Sequence, residues 1–333
     1  MLAGIKAIEY YLPELILTND ELAVLYPSWT ANKIYEKTGI TTRHIATTSQ
    51  TALDLGEMAA KKILDSSVIE RHEIDCLIFA SQSPDYKLPS SACILQDRLG
   101  LKKNIAAFDI NLGCSAYIYA LSVAKSFVVS QMARNVLIVT ADTYSKYIHP
   151  MDKSTRTLFG DGAAATLVGD GGIQIGAFDF GTDGSGKDMF IINAGGARIP
   201  YSDETKKEIH DDDNVRTAEH IYMDGPGIFN FTIEEIPYSI EKVLQLESLS
   251  KNDISLYVLH QANRFMLEFL RKKMKIEKEK FYINLEDTGN TVSSSVPIAL
   301  KRAWEEGKLQ RGKVVLSGFG VGLSWGSVVL HVD

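Results

Sequence analysis

The segment running from Cys114 to Gln131 limits what this chain can fold into more than any other. Ala116, Tyr117, Ile118, Tyr119, Ala120, Leu121, Val123, Ala124, Phe127, Val128 and Val129 leave a helix there with almost no polar face. A helix that is apolar all round is buried. The run is shorter than the roughly 18 apolar residues that mark a membrane span, so it must sit at the centre of a large protein core. The chain can supply one, since its 333 residues are 45% hydrophobic and 23% charged, in the range of a globular protein of one large or two ordinary domains. Short runs rich in Val, Ile and Leu at 75–80, 135–140, 163–168, 254–259, 313–316 and 327–332 read as strands buried on both faces. Longer stretches at 52–66, 114–131, 233–246 and 262–274 read as helices between them. This alternation predicts an α/β layered fold.

Composition removes several classes of function. A net charge of −7 disfavours nonspecific nucleic-acid binding. Cys76, Cys93 and Cys114 are an odd number of cysteines with no close pair, which argues against a disulfide framework, and no Cys-x-x-Cys pair or histidine cluster suggests a metal site. Cys76 and Cys93 read as small buried core residues. The first residues lack the apolar core of a signal peptide, and no run predicts a membrane span. A reducing cytoplasm is the expected setting.

Two Gly-rich stretches echo each other. Phe159-Gly160-Asp161-Gly162-Ala163 and Phe319-Gly320-Val321-Gly322-Leu323 each run into an apolar strand. Either the chain is a duplicated βα unit divided near Gly169-Asp170-Gly171-Gly172, or both stretches are simple glycine turns. Residues 182–216 are rich in Gly and Asp, including Asp211-Asp212-Asp213, and read as a solvated irregular excursion.

Chemistry concentrates at three residues. Cys114 follows Gly113 at the predicted start of the apolar helix, where the helix dipole and free backbone N–H groups favour a thiolate. His260 ends the strand Leu256-Tyr257-Val258-Leu259 and leads into Gln261-Ala262-Asn263. Strand ends of this kind face the ligand crevice of α/β sheets. Asn290 lies in a Gly-rich turn before Ser293, Ser294 and Ser295. Singly, His260 reads as a hydrogen-bonded structural histidine and Asn290 as a left-handed turn residue. Together with a cysteine they suggest covalent acyl chemistry. The stretch 262–274 puts Ala262, Phe265, Met266, Phe269, Leu270 and Met274 on one face, and Arg264, Arg271, Lys272, Lys273 and Lys275 make the other side basic. That basic side is either a solvated surface or a place for an anionic partner.

The motifs Asn111-Leu112-Gly113-Cys114-Ser115, His260-Gln261-Ala262-Asn263, Gly289-Asn290-Thr291, Ser295-Val296-Pro297-Ile298-Ala299-Leu300 and Gly318-Phe319-Gly320-Val321-Gly322 occur in an order that resembles the 3-oxoacyl-acyl carrier protein synthase III family of thiolase-like condensing enzymes. Lys37-Thr38-Gly39-Ile40 and the stretch from Phe159 to Ala163 match it too, so the likeness spans essentially the whole chain. It implies a thiolase-like, five-layered αβαβα fold of two duplicated halves, 1–172 with the nucleophile and 173–333 with the histidine and asparagine. It also implies a homodimer without cofactor or metal, acting on acyl-CoA and acyl carrier protein. By the same resemblance Cys114 is the acyl acceptor, and His260 and Asn290 hold an enolate. The backbone N–H groups of Cys114 and Val321 form an oxyanion hole, and Arg264, Lys272 and Lys273 dock the carrier.

The chain departs from the family pattern on the CoA side. Lys33 stands where relatives often carry an adenine-stacking tryptophan, and Lys37 and Lys153 stand where they carry arginines. Lysine lacks the planar fork of arginine. Leu88 replaces a phenylalanine that caps the partner subunit's acyl pocket, which predicts a different primer. Two alternatives share the Cys-His-Asn order. One is a specialised acyltransferase or condensing enzyme with another primer or acceptor. The other is a papain-like protease, for which the 146-residue step from Cys114 to His260 fits but the local cysteine signature does not.

Overall fold

The computed structural model describes residues 2–211 and 214–332. In chain order the first part comprises β1 (Ala3–Tyr11), β2 (Leu15–Thr18), α1 (Asn19–Leu25), α2 (Ala31–Thr38), β3 (Thr42–Ile45), α3 (Ala52–Asp65), β4 (Cys76–Ala80), α4 (Ser91–Arg98), β5 (Ala106–Ile110), α5 (Ala116–Val129), β6 (Val136–Asp142), α6 (Lys153–Arg156) and β7 (Gly162–Asp170). The second comprises β8 (Ile173–Thr182), β9 (Phe190–Ile192), β10 (Ile209–Asp211), β11 (Asn214–Arg216), β12 (Ile221–Met223), α7 (Gly225–Leu246), β13 (Ile254–Leu259), α8 (Arg264–Lys273), β14 (Phe281–Tyr282), α9 (Ser295–Glu305), β15 (Gly312–Gly320) and β16 (Ser324–Val332).

Ten strands form one sheet in the order β14-β13-β15-β16-β8-β1-β7-β6-β4-β5. Read outward from its middle, β1-β7-β6-β4-β5 and β8-β16-β15-β13-β14 repeat the same chain order and directions, each with two antiparallel pairings and then two parallel ones. The two sets pair where Gly4 and Ile5 of β1 meet Gln174 and Ile173 of β8. Helices α3 and α4 cover the first set, α7 covers the second and packs on α8, and α5 and α9 fill the space between the sets. The result is the five-layered αβαβα arrangement of the thiolase-like enzymes.

The middle layer explains the apolar helix. Tyr117, Ile118 and Leu121 of α5 and Val296, Ala299 and Leu300 of α9 are fully or almost fully buried among Ile5, Ile78, Val258 and Leu316 of the strands. Each of the Ile, Leu and Val side chains among them contributes about 1.5–3 kcal/mol by leaving water.

Several elements differ from the sequence reading. Helix α5 begins at Ala116, so Cys114 sits in the turn before it. Helix α7 begins eight residues before the expected 233, because Asp224 caps Gly227 N–H and Pro226 sits in the first turn, where a missing N–H is harmless. The stretch 182–216 is largely exposed but not wholly irregular, since β9 pairs with β12 and thereby holds Phe190 buried. Asp211 is exposed, and Asp212 and Asp213 of the acidic run lie outside the described residues. Cys76 is buried, whereas Cys93 is exposed on α4 rather than packed in the core. On α8 the buried face is Met266, Leu267 and Leu270, while Phe265 and Phe269 lie at 62% and 40% exposure against the Phe229 ring. The buried face keeps Met266 and Leu270 of the expected one and adds Leu267, and Asn263 caps the helix by accepting Met266 N–H.

Candidate active site

Three loops at the carboxyl ends of strands bring the sequence-predicted residues together. Cys114 follows β5, His260 follows β13, and Asn290 lies between β14 and α9. All three line one cavity of about 140 Å³, with Phe159, Phe190 and Phe319 among its apolar walls. The opening glycine of the β15–β16 turn is part of this geometry. A Cβ at Gly320 would lie 2.9 Å from Cys114 Cβ and 3.1 Å from its Sγ, so the thiol has room only because that residue has no side chain.

The thiol is not a resting thiolate. Cys114 is 3% exposed, and burial pushes its thiol well above the ordinary cysteine range, with the charge of Asp142 adding to the shift. Its own backbone N–H acts in the opposite direction but is outweighed. The helix-start argument therefore has the right local sign and the wrong net result, because removal from water dominates. Asp142 is itself fully buried at the end of β6. Burial raises its carboxyl to about 6, against hydrogen bonds donated by Ser293, Gln82 N–H and Ser81.

His260 and Asn290 are each set by a neighbour. The His260 imidazole is 2% exposed, and burial pushes it down to about 3, so it is neutral near pH 7. Its Nδ1 lies 2.6 Å from Ser295 Oγ, which also accepts Gln261 N–H at 3.4 Å. When the serine hydroxyl donates to Nδ1, the imidazole proton is on Nε2, the tautomer in which Nε2 is a donor. Asn290 Oδ1 accepts Val292 N–H at 2.9 Å, which turns its Nδ2 toward His260 Nε2, 3.5 Å away. Two neutral N–H donors then face one point in a dry cavity, the arrangement that suits a developing oxyanion. The left-handed conformation expected of Asn290 belongs instead to Gly289, at φ +67°.

The other predicted residues lie apart from this cavity. Val321 follows Gly320 in the β15–β16 turn, and its carbonyl accepts Ser324 Oγ–H at 3.0 Å. Leu88 is 82% exposed. Lys272 and Lys273 are exposed at the end of α8, and Arg264 at its start pairs with Glu286 at 2.8 Å. Lys37 and Lys153 meet around a residue that sequence reasoning passed over. The ammonium nitrogens of Lys33, Lys37 and Lys153 lie 5.7, 5.4 and 5.5 Å from the centre of the Trp29 ring. Lys33 and Lys37 share one face of α2 at the i, i+4 spacing, and Trp29 lies in the bend just before its cap residue Thr30.

The layers and the buried cysteine before the central helix define a thiolase-like, acyl-transferring condensing enzyme. The comparisons narrow the class. Residues 108–184 match the family model described as 3-oxoacyl-[acyl-carrier-protein (ACP)] synthase III, and 244–332 match that of its C-terminal part. A beta-ketoacyl-[acyl-carrier-protein] synthase III from Caldanaerobacter subterraneus subsp. tengcongensis is 40% identical over 98% of this chain and 97% of its own. A crystal structure of a 3-oxoacyl-(acyl-carrier-protein) synthase III superposes with a TM-score of 0.97 at 49% identity, covering 99% of this chain and 100% of that one. A 3-oxoacyl-(acyl-carrier protein) synthase from Burkholderia xenovorans LB400 gives 0.91 at 33% identity, over 100% and 95%. The chain belongs to the 3-oxoacyl-[acyl-carrier-protein] synthase III family.

Proposed function

We propose that this chain condenses a Cys114-bound acyl group, taken from an acyl-CoA, with malonyl-acyl carrier protein to give 3-oxoacyl-acyl carrier protein, CoA and CO2. The observation that carries this reading is the convergence of one buried thiol and two neutral N–H donors on a single apolar cavity. Cys114 Sγ attacks the acyl-CoA carbonyl, and its proton leaves with the CoA sulfur. Malonyl-carrier protein enters next. Its carboxylate is destabilised among the phenylalanines and departs as CO2, leaving its electron pair in an enolate. The enolate oxygen accepts hydrogen bonds from His260 Nε2 and Asn290 Nδ2. The carbanion attacks the acyl carbonyl, the backbone N–H groups of Cys114 and Val321 hold the oxyanion, and collapse expels the Cys114 thiolate, which takes a proton from solvent to restore the thiol. The raised thiol and the depressed imidazole suit this order, since an uncharged pair preserves the dry site between turnovers.

The remaining assignments follow the same reading. Trp29 offers a face for the CoA adenine, and Lys33, Lys37 and Lys153 around it meet the phosphates. Arg264, Lys272 and Lys273 dock the acidic carrier protein. The working unit is a cytoplasmic homodimer without metal or cofactor. Residues 1–172 supply the nucleophile and 173–333 the enolate donors. Support for the dimer comes from the open edge of β5 and from the exposed Tyr86 and Leu88; in such a dimer Leu88 would cap the partner's acyl pocket. The test is CO2 release from malonyl-carrier protein in the presence of short acyl-CoAs. CO2 release with formation of 3-oxoacyl-carrier protein is expected. Its absence, with acyl transfer to an alcohol or amine, would reject the condensation.

A further inference from the structure

A second cavity of about 190 Å³ lies behind the nucleophile. It shares the Phe190 wall with the first cavity and includes Gln82, Tyr144 and Val321 in its lining. These three pack on the backbone that carries the thiol. A Cβ at Gly113 would lie 2.5 Å from Gln82 Oε1, 3.0 Å from Val321 Cγ1 and 3.2 Å from the Tyr144 hydroxyl. Cys114 follows Gly113 directly, so this cavity adjoins the backbone that carries the thiol, while the thiol's residue itself lines the first cavity.

The lining of this cavity is unusual for a site that holds a plain alkyl chain. Ile191, Ile192 and Ile221 are apolar, but Gln82, Asn111 and Tyr147 present polar groups. Gln82 Oε1 accepts the Tyr144 hydroxyl at 2.7 Å, which fixes the amide and leaves Nε2 with two N–H donors. Among the described residues neither Gln82 Nε2 nor the Tyr147 hydroxyl has a hydrogen-bond partner. Among the described residues no charged side chain lines the cavity. The carboxylate nearest to Gln82 is Asp142, which accepts its backbone N–H at 2.9 Å and opposes a second negative charge. The volume is modest, because a cavity of about 150 Å³ already holds benzene.

We propose that this cavity receives the primer's acyl chain and selects a short chain bearing a neutral oxygen substituent, such as a 3-hydroxyacyl group, whose oxygen accepts hydrogen bonds from Gln82 Nε2 and the Tyr147 hydroxyl. The proposal rests on the acyl-enzyme reading above. The reason for selection is that an alkyl chain leaves these donors desolvated and unpaired, which is more costly than the gain from a neutral hydrogen bond alone.

The test compares acylation rates by intact-protein mass spectrometry with butyryl-CoA, racemic 3-hydroxybutyryl-CoA and succinyl-CoA. The hydroxyacyl thioester is expected to label Cys114 about tenfold faster than the butyryl one, and succinyl-CoA more slowly than either. Gln82→Leu should reverse the first preference, and Tyr147→Phe should narrow it. Tyr147→Phe keeps the ring and carries the comparison if Gln82→Leu does not fold. A butyryl rate equal to or above the hydroxybutyryl rate would overturn this inference while leaving the acyl-enzyme intact. So would a ratio unmoved in the folded variants, or succinyl-CoA reacting fastest. No adduct from any thioester would overturn the acyl-enzyme reading and this inference together.

Discussion

The two five-strand sets have one topology and different chemistry. After β5 the first places Cys114, and after β14, the matching position, the second places Asn290. After β4 the first has the hydroxyls of Ser81 and Ser83, which turn toward the buried Asp142, whereas after β13 the second has His260. After β6 a long connection runs from 143 to 161, whereas β15 turns into β16 through Val321, Gly322 and Leu323. The lesson is that the layers fix where strand ends meet, while a handful of loop residues decide what those ends do. In the proposed reaction one set supplies the nucleophile and the other supplies donors for an oxyanion.

This division can be broken experimentally. The largest effect is expected from His260→Ala and Asn290→Ala. Each should lower CO2 release about 10²–10³-fold, while acylation of Cys114 by acyl-CoA persists. Loss of acylation in these variants would show that the second set also activates the thiol. Gly320→Ala should come next. Its Cβ would crowd Cys114 and lower the acylation rate by about ten- to a hundredfold, as overpacking of about 1–3 kcal/mol implies. An unchanged rate would mean that the thiol moves freely.

The pH dependence sharpens the same contrast. Because the folded His260 is depressed to about 3, it stays neutral across the range where a free histidine charges near 6.5. Its imidazole NMR signals should therefore not titrate between pH 5 and 8. The unfolded chain binds that proton more readily, so this group's contribution to stability is complete above about 6.5 and is lost as pH falls toward 3. Titration of His260 near 6.5 would contradict the dry site. The smallest effect is expected from Trp29→Ala, which should raise the KM for acyl-CoA by about two- to thirtyfold and leave kcat unchanged.

Much of this was legible in the residues. The apolar run at 114–131 indicated a central helix, and strands such as β13 and β4 were visible as continuous Val, Ile and Leu runs. The central strands β1 and β8 were not read, because Lys6 and Glu9 in one and Gln174 and Asp179 in the other interrupt the apolar pattern. Of the site, the positions of Cys114, His260 and Asn290 came from their motifs, but their electrostatics did not. The helix start argued for a thiolate, and only burial against Asp142 reverses that. Ser295 and Val292 N–H, which set the two donors, gain their roles from contacts that spacing cannot supply. Trp29 was not legible because it precedes α2 and gains its lysine neighbours only when Lys153 folds against them.

The central claim is that the two steps are separable and that Cys114 alone carries the acyl group. Intact-protein mass spectrometry after incubation with a short acyl-CoA tests it most directly. The native protein should gain one acyl group per chain, Asn290→Ala should gain it as well, and Cys114→Ala should gain none. An acyl adduct that survives in Cys114→Ala would contradict the account.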